Sequence, residues 1–110
     1  SPTVRHFISE ILKAKGYEVS FAEDGYAGVL KAKAEMPDLI VMDIVMPGLN
    51  GFQACRAITK DPATEKIPVI LCTTKGQETD KIWGMRQGAK GYITKPVNSV
   101  ELLSKIAALV

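Results

Sequence analysis

Two kinds of hydrophobic pattern alternate along this chain of 110 residues. Apolar residues that recur every three or four positions indicate amphipathic helices, and short uninterrupted apolar runs indicate buried strands. The helical pattern covers residues 2–15, 26–36, 52–60, 78–87 and 99–109, and the predicted strands are 17–22, 39–43, 67–72 and 91–94. Strands that alternate with helices in this way predict a doubly wound α/β fold, in which helices cover both faces of a parallel sheet.

The predicted strands differ in how much of their surface is buried. Residues 39–43 and 67–72 are largely continuous apolar runs, which predicts strands that are covered on both faces. Residues 17–22 alternate between apolar and polar, so this strand is predicted to lie near a sheet edge with one wetter face.

The sequence also indicates where some helices begin and end and which side chains face the core. Ser1-Pro2 places a good N-cap residue before a proline at the first helical position, and Gly16 ends that helix. Ser99 is the predicted N-cap of the last helix. The residues predicted to face the core in the second and last helices are Ala27, Leu30, Ala34, Val100, Leu103, Ile106, Ala107 and Val110.

Asp43 is the first candidate for chemistry, because it ends the buried strand 39–43. In open α/β sheets the reactive crevice lies just beyond the carboxyl ends of the strands. The turn formers Pro47, Gly48 and Asn50-Gly51 follow, and they predict a tight loop that leaves Asp43 exposed. The alternative is that Asp43 merely ends a strand or caps the next helix.

The next two strands end on Thr73 and Lys95. A carboxylate can act as a nucleophile toward phosphorus, while an ammonium and a hydroxyl can hold phosphoryl oxygens. Since parallel strands bring their carboxyl ends to one edge, Asp43, Thr73 and Lys95 are predicted to form one site. The alternatives are a helix-capping role for Thr73 and a solvated loop position for Lys95.

Composition excludes several other functions. A formal charge of +2 without a basic run argues against nucleic-acid binding. No apolar stretch approaches the roughly 20 residues that span a bilayer, and no signal peptide opens the chain. Cys55 and Cys72 lack a metal-binding spacing and are predicted to be buried free thiols in a reducing cytoplasm. His6 is predicted to be a solvated side chain rather than a ligand or a phosphoryl carrier.

The chain resembles the receiver domain of two-component response regulators, the CheY-like (flavodoxin-like) fold. The matching motifs are Asp43-x-x-Met46-Pro47-Gly48-x-x-Gly51, the strand Pro68-Val69-Ile70 leading to Thr73, and Gly88-Ala89-x-Gly91-Tyr92-x-x-Lys95-Pro96. The resemblance covers residues 1–110 as one receiver domain. It implies that Asp43 is the phosphoacceptor, Thr73 the switch hydroxyl, Lys95 the phosphate-contacting lysine and Tyr92 the switch aromatic, with a cis Lys95-Pro96 peptide.

The same resemblance implies the partners and the cofactor. A cytoplasmic sensor histidine kinase would phosphorylate Asp43, and a downstream protein would read the face formed by the fourth helix, the fifth strand and the fifth helix. The protein would be a signalling phosphoacceptor rather than an enzyme. Mg²⁺ would bind to Asp43, to the backbone carbonyl of Val45 and to an acidic pair that follows the family's first strand. Residues 74–84 also resemble single-domain twitching-motility regulators of the PilH type.

The first strand and the acidic pair of the family are not found among these residues. The strand order of the fold is 2-1-3-4-5, so its central strand would be lacking. We expect an unstable monomer, or a dimer or strand swap that fills the gap, together with weak Mg²⁺ binding and crippled phosphoryl transfer. A truncated parent and a shortened variant both explain the difference, and the truncated parent is the favoured explanation.

Two other classes of function stay open at the level of sequence. If the native form lacks the acidic pair, the protein is a phosphorylation-independent pseudo-receiver. A small flavodoxin-like cofactor binder is disfavoured, because no glycine-rich phosphate loop is present. Trp83, the sole tryptophan, is predicted to lean outward, where it either anchors a partner or packs over lysine or methionine stems.

Overall fold

A computed structural model describes residues 2–46, 48–74 and 78–110. These residues form five helices and three strands. In chain order they are α1 (Pro2–Ala14), α2 (Gly25–Glu35), β1 (Ile40–Asp43), α3 (Gly51–Lys60), β2 (Val69–Thr74), α4 (Glu78–Arg86), β3 (Gly91–Lys95) and α5 (Ser99–Leu109). The predicted N-cap Ser1, the turn residue Pro47 and residues 75–77 lie outside the described residues.

The three strands form one parallel sheet in the order β1-β2-β3. Asp43 at the end of β1 is in register with Cys72 of β2, and Thr74 of β2 is in register with Lys95 of β3. The carboxyl ends of all three strands therefore meet at one edge of the sheet. This arrangement confirms the predicted α/β fold with a parallel sheet.

Helices cover both faces of the sheet, because side chains alternate along each strand. Val69 and Leu71 of β2 pack with buried residues of α2 and α3. Ile70 and Cys72, one position further along in each case, pack on the other face with α1 and α5. Cys72, like Cys55 of α3, is a buried free thiol, as predicted.

The predicted strand at residues 17–22 is wrong. These residues form no regular secondary structure, and most of them are exposed. A strand exists only when its backbone groups pair with a neighbouring strand, and no other described segment lies beside this one as a strand. Side chains hold it instead: Lys31 Nζ donates to the carbonyl oxygen of Phe21 at 2.6 Å, and the Arg5 guanidinium lies 4.6 Å from the centre of the Phe21 ring.

The second helix buries a different face from the predicted one. Leu30 is 67% exposed and Ala34 is exposed, whereas Ala32 is buried. At the start of α2, Gly25 lies so close to the backbone of Leu49 that a Cβ would collide with it. This close approach sets the rotation of α2 against α3 and the loop before α3.

The last helix is also rotated from its predicted orientation. Val100 is exposed, and the fully buried positions are Leu102 and Ile106, of which only Ile106 was among the predicted core residues. The N-cap is Asn98 rather than Ser99, since the Asn98 side chain accepts a backbone N–H of the first turn at 2.9 Å. Leu109 also packs on this core, so the buried stripe of α5 is formed by Leu102, Ile106 and Leu109.

Within the described parts of the chain, no helix combines the length and the apolar character needed to cross a membrane.

Candidate functional site

The candidate site is built on an ion pair that spans the sheet. Lys95 Nζ, at the end of β3, lies 2.7 Å from Asp43 Oδ2, at the end of β1. The two strands are not neighbours, so the lysine side chain reaches over β2 to meet the carboxylate. The side chains are 21% (Asp43) and 26% (Lys95) exposed, which leaves the pair accessible from the edge of the sheet. The peptide bond between Lys95 and Pro96 is cis, as predicted.

The loop after Asp43 fixes the carboxylate from the other side. The backbone N–H of Val45 donates to Asp43 Oδ1 at 3.2 Å. The backbone N–H of Gly51 donates to the carbonyl of Ile44 at 2.8 Å, and a Cβ at Gly51 would collide with the backbone of Asp43. Because α3 starts at Gly51 with Asn50 as its N-cap, the first turn of that helix is packed directly against the site.

The thiol of Cys72, next to the ion pair, is expected to be unreactive. The pKa of Cys72 is raised to about 11, mainly by burial and also by the Asp43 carboxylate, while Lys95 partly offsets the rise. Burial also raises the pKa of Cys55 to about 11. Both thiols therefore stay protonated near neutral pH, which disfavours a role for either as a nucleophile.

Thr73 points to the opposite face of the sheet from Cys72, because the two residues are consecutive in β2. Its side chain is buried, and Oγ1 lies 3.2 Å from Oδ2 of Asp80, in the first turn of α4. An ionised carboxylate only accepts hydrogen bonds, so the threonine donates. The structure thus brings Asp43 and Lys95 together, and it holds the hydroxyl of Thr73 against α4.

Tyr92 lies between two lysines from different helices. The Nζ atom of Lys81 in α4 is 4.7 Å from the ring centre, and that of Lys105 in α5 is 5.5 Å from it. The ring is half-buried and packs against the core formed by α2 and α3. The predicted switch aromatic is therefore placed where α4, β3 and α5 meet.

Sequence reasoning did not identify Asp80, Lys81 or Lys105. Asp80 had a weak signal, since an acidic residue in the first turn of a helix is favoured by the helix dipole. The two lysines had none, because their shared neighbour Tyr92 is distant from both in the chain.

The described residues do not complete a metal site. They contain no group of three His, Cys, Asp or Glu side chains that could hold an ion. Asp43 and the carbonyl of Val45 would supply two oxygens, whereas Mg²⁺ takes six in an octahedral arrangement and keeps water at several positions. The carboxylate of Asp43 is also engaged by Lys95.

Two other predicted features lie away from this site. His6 is exposed on α1, with Nε2 4.0 Å from a carboxylate oxygen of Glu10. Trp83 is 49% exposed on α4, where Ile82 and Met85 are also exposed. The outward position of Trp83 is confirmed.

The structure is a parallel sheet covered by helices on both faces, with the Asp43–Lys95 pair at its carboxyl edge. A comparison with protein families identifies the class of protein to which this arrangement belongs. The profile of the response regulator receiver domain matches residues 1–107. The chain belongs to this family.

Curated relatives agree with this assignment. The chain is 55% identical over 109 residues to Protein PilH of Pseudomonas aeruginosa PAO1, an alignment that covers 99% of this chain and 90% of PilH. It is 41% identical over 98 residues to the response regulator PleD of Caulobacter vibrioides NA1000, covering 89% of this chain but only 22% of PleD. PleD is therefore a much longer protein, whereas PilH is close in length to this chain.

Solved structures share the fold. The chemotaxis protein CheY4 of Vibrio cholerae superposes with a TM-score of 0.91 at 31% identity, covering 100% of this chain and 92% of CheY4. The receiver domain of the sensor histidine kinase PA1611 from Pseudomonas aeruginosa PAO1 gives a TM-score of 0.90 at 28% identity, covering 99% and 89%. That structure has a magnesium ion coordinated in the active-site cleft.

Proposed function

We propose that Asp43 is the phosphoacceptor of a two-component system and receives its phosphoryl group from a histidine kinase. The observation that carries the proposal is the partly exposed carboxylate of Asp43, held by Lys95 Nζ at 2.7 Å on the edge where such sheets carry their chemistry. A structural ion pair needs no such position. A nucleophile that must meet a second protein does need it.

The transfer is a substitution at phosphorus. A carboxylate oxygen of Asp43 attacks the phosphorus of a phosphohistidine, a P–O bond forms, and the P–N bond to the imidazole breaks. The leaving imidazole takes up a proton. Lys95 is placed to neutralise charge on the phosphoryl oxygens, and it keeps an anionic partner afterwards because the product still carries about −1.5 to −2 charges.

The signal is proposed to travel through Thr73 and Tyr92. The new phosphoryl oxygens attract the hydroxyl of Thr73, and Tyr92 moves into space beside α4. This is a shift between two populated states, and a preference of a few kcal/mol suffices to drive it. A downstream protein then reads the changed face of α4, β3 and α5, which is the face that the family counts as its fourth helix, fifth strand and fifth helix.

Family membership and the magnesium ion of the PA1611 receiver support Mg²⁺ as the cofactor of the domain. When bound, the ion supplies positive charge beside the transferring phosphoryl group. Asp43 and the backbone carbonyl of Val45 are the described groups that would hold it. Because these are only two oxygens, we expect residues 1–110 alone to bind Mg²⁺ weakly. The proposed location is the cytoplasm, where a histidine kinase would deliver the phosphoryl group.

The proposal is tested by chemical phosphorylation of the full-length protein. Incubation with acetyl phosphate and Mg²⁺ should add one phosphoryl group, measured by intact mass, and Asp43→Asn should abolish the addition. Asp38→Asn, which removes an exposed carboxylate just before β1, is the matched control and should label normally. Labelling that persists in Asp43→Asn contradicts the proposal, and no labelling of the wild type would instead indicate a phosphorylation-independent interaction module.

A further inference from the structure

The hydroxyl of Thr73 has one proton to donate, and in this structure it donates that proton to Asp80 at 3.2 Å. The bond is well sheltered, since Thr73 is 2% exposed and Asp80 is half-buried. A hydrogen bond to an ionised acceptor is stronger than one between neutral groups, and shelter from water strengthens it further. A group on α4 therefore contributes to the orientation of this hydroxyl.

A phosphoryl oxygen, like the carboxylate, only accepts hydrogen bonds. The single proton of Thr73 cannot serve the Asp80 carboxylate and a phosphoryl group on Asp43 with full strength at once. We propose that Asp80 is a positioning residue that competes with the phosphoryl group for the Thr73 hydroxyl. Asp80 thereby sets how easily the protein reaches its phosphorylated conformation. This inference rests on the proposed function, because it assumes that the Thr73 hydroxyl forms a hydrogen bond with the phosphoryl group on Asp43.

The competition also explains how the hydroxyl can act on a helix. Asp80 lies in the first turn of α4, so turning the hydroxyl away releases that end of the helix from β2. Lys81, the next residue, contacts the ring of Tyr92. The loss of one hydrogen bond therefore weakens the attachment of the helix beside the side chain that is proposed to move.

The test measures the affinity of the full-length protein for beryllofluoride, a phosphoryl mimic, in the presence of Mg²⁺. Trp83 lies three residues after Asp80 on α4 and is the sole tryptophan, so its fluorescence reports on this helix. Asp80→Asn keeps the shape of the side chain but removes its charge, and its amide N–H can donate to Thr73 Oγ1. We expect beryllofluoride to bind about tenfold more tightly to Asp80→Asn than to the wild type.

A second variant separates competition from simple charge repulsion between Asp80 and the anion. In a Thr73→Val background no hydroxyl remains to compete for, so adding Asp80→Asn should leave the affinity unchanged. A tenfold gain that persists there would show a long-range charge effect and would overturn the inference. Asp38→Asn, which changes net charge by the same amount, should not alter the affinity, and Asp80→Ala provides the same comparison if Asp80→Asn does not fold.

The wild type separates the two levels of the argument. If it shows no response to beryllofluoride, the proposed function fails and the inference falls with it. If the wild type responds and Asp80→Asn binds with the same affinity, the proposed function stands and the role of Asp80 is refuted.

Discussion

The two ends of α4 are held in different ways. At the carboxyl end, the backbone carbonyl of Gln87 accepts hydrogen bonds from Thr59 Oγ1 at 2.7 Å and from Cys55 Sγ at 3.6 Å. Arg56 reaches the Gln87 side chain at 3.5 Å, so three residues of α3 converge on one buried residue. At the amino end, the described contacts to the sheet run through Thr73–Asp80 and Lys81–Tyr92.

The difference lies in what can compete for each contact. Nothing in the proposed reaction produces a new partner for the Gln87 carbonyl, whose donors are side chains of α3. At the amino end, by contrast, the Thr73 hydroxyl that donates to Asp80 could donate to a phosphoryl group instead. The amino end of α4 is therefore expected to move about a fixed carboxyl end.

The largest effect is expected from Gly88→Ala, next to the fixed end. Gly88 has φ +98, where L residues are strained, and its Cβ would lie 2.6 Å from Thr59 Oγ1. We expect a loss of about 2–3 kcal/mol in the free energy of unfolding, measured by urea denaturation. Gly91→Ala, where a Cβ would meet no atom within 4 Å, is the control. Equal losses in the two variants would contradict the strain and the clash expected at Gly88.

A smaller effect is expected from ionisation of Cys55 at high pH. The folded protein raises the pKa of this thiol from 9.0 to about 11 through burial, so the unfolded chain loses the proton first. Stability is then unaffected below pH 9 and falls as the pH rises from 9 to about 11, by about 1.4 kcal/mol at pH 10.

Urea denaturation between pH 8 and pH 10.5 measures this loss, and Cys55→Ala is the comparison because it lacks the titrating group. The decline in stability should be shallower in Cys55→Ala than in the wild type. Parallel curves for the two proteins would mean that the thiol is not protected by the fold.

The smallest effect is expected at the movable end, from Lys81→Met. This change removes the ammonium 4.7 Å from the Tyr92 ring but keeps an apolar stem. A cation–π contact at a half-exposed site contributes about 0.5–1 kcal/mol, and we expect a loss in unfolding free energy of about this size, below that of Gly88→Ala. Lys90→Met, at an exposed lysine, is the control. A loss as large as that of Gly88→Ala would contradict the distinction between the two ends.

Much of the fold was predictable because its signals are local. The helical spacing and the apolar runs lie within single elements, and the predicted α/β alternation was confirmed. Residues 17–22 were not predictable in the same way, because a strand depends on a partner that its own sequence does not contain. The faces of α2 and α5 depend on close contacts elsewhere, such as Gly25 against Leu49.

The residues of the candidate site also differ in whether a local signal in the sequence indicates them. Asp43 and Lys95 were found because each ends a strand, and parallel topology alone brings strand ends together. Asp80 could not be found in this way, since its contact with Thr73 depends on how α4 is rotated above the sheet. The surroundings of Tyr92 combine side chains of two helices with a strand, and no pattern within one element indicates them.

The reach of Lys95 over β2 has a consequence for where information is stored. Before phosphorylation the ammonium faces a carboxylate, and afterwards it would face a larger anion on the same residue, so this contact reports little about the state of the site. The Thr73 hydroxyl has one proton, which it would donate either to the Asp80 carboxylate or to a phosphoryl oxygen. Its hydrogen bond would therefore change partner between the two states. Under the proposed function, the charged pair would therefore stay nearly constant, and the change of state would begin at the uncharged hydroxyl of Thr73.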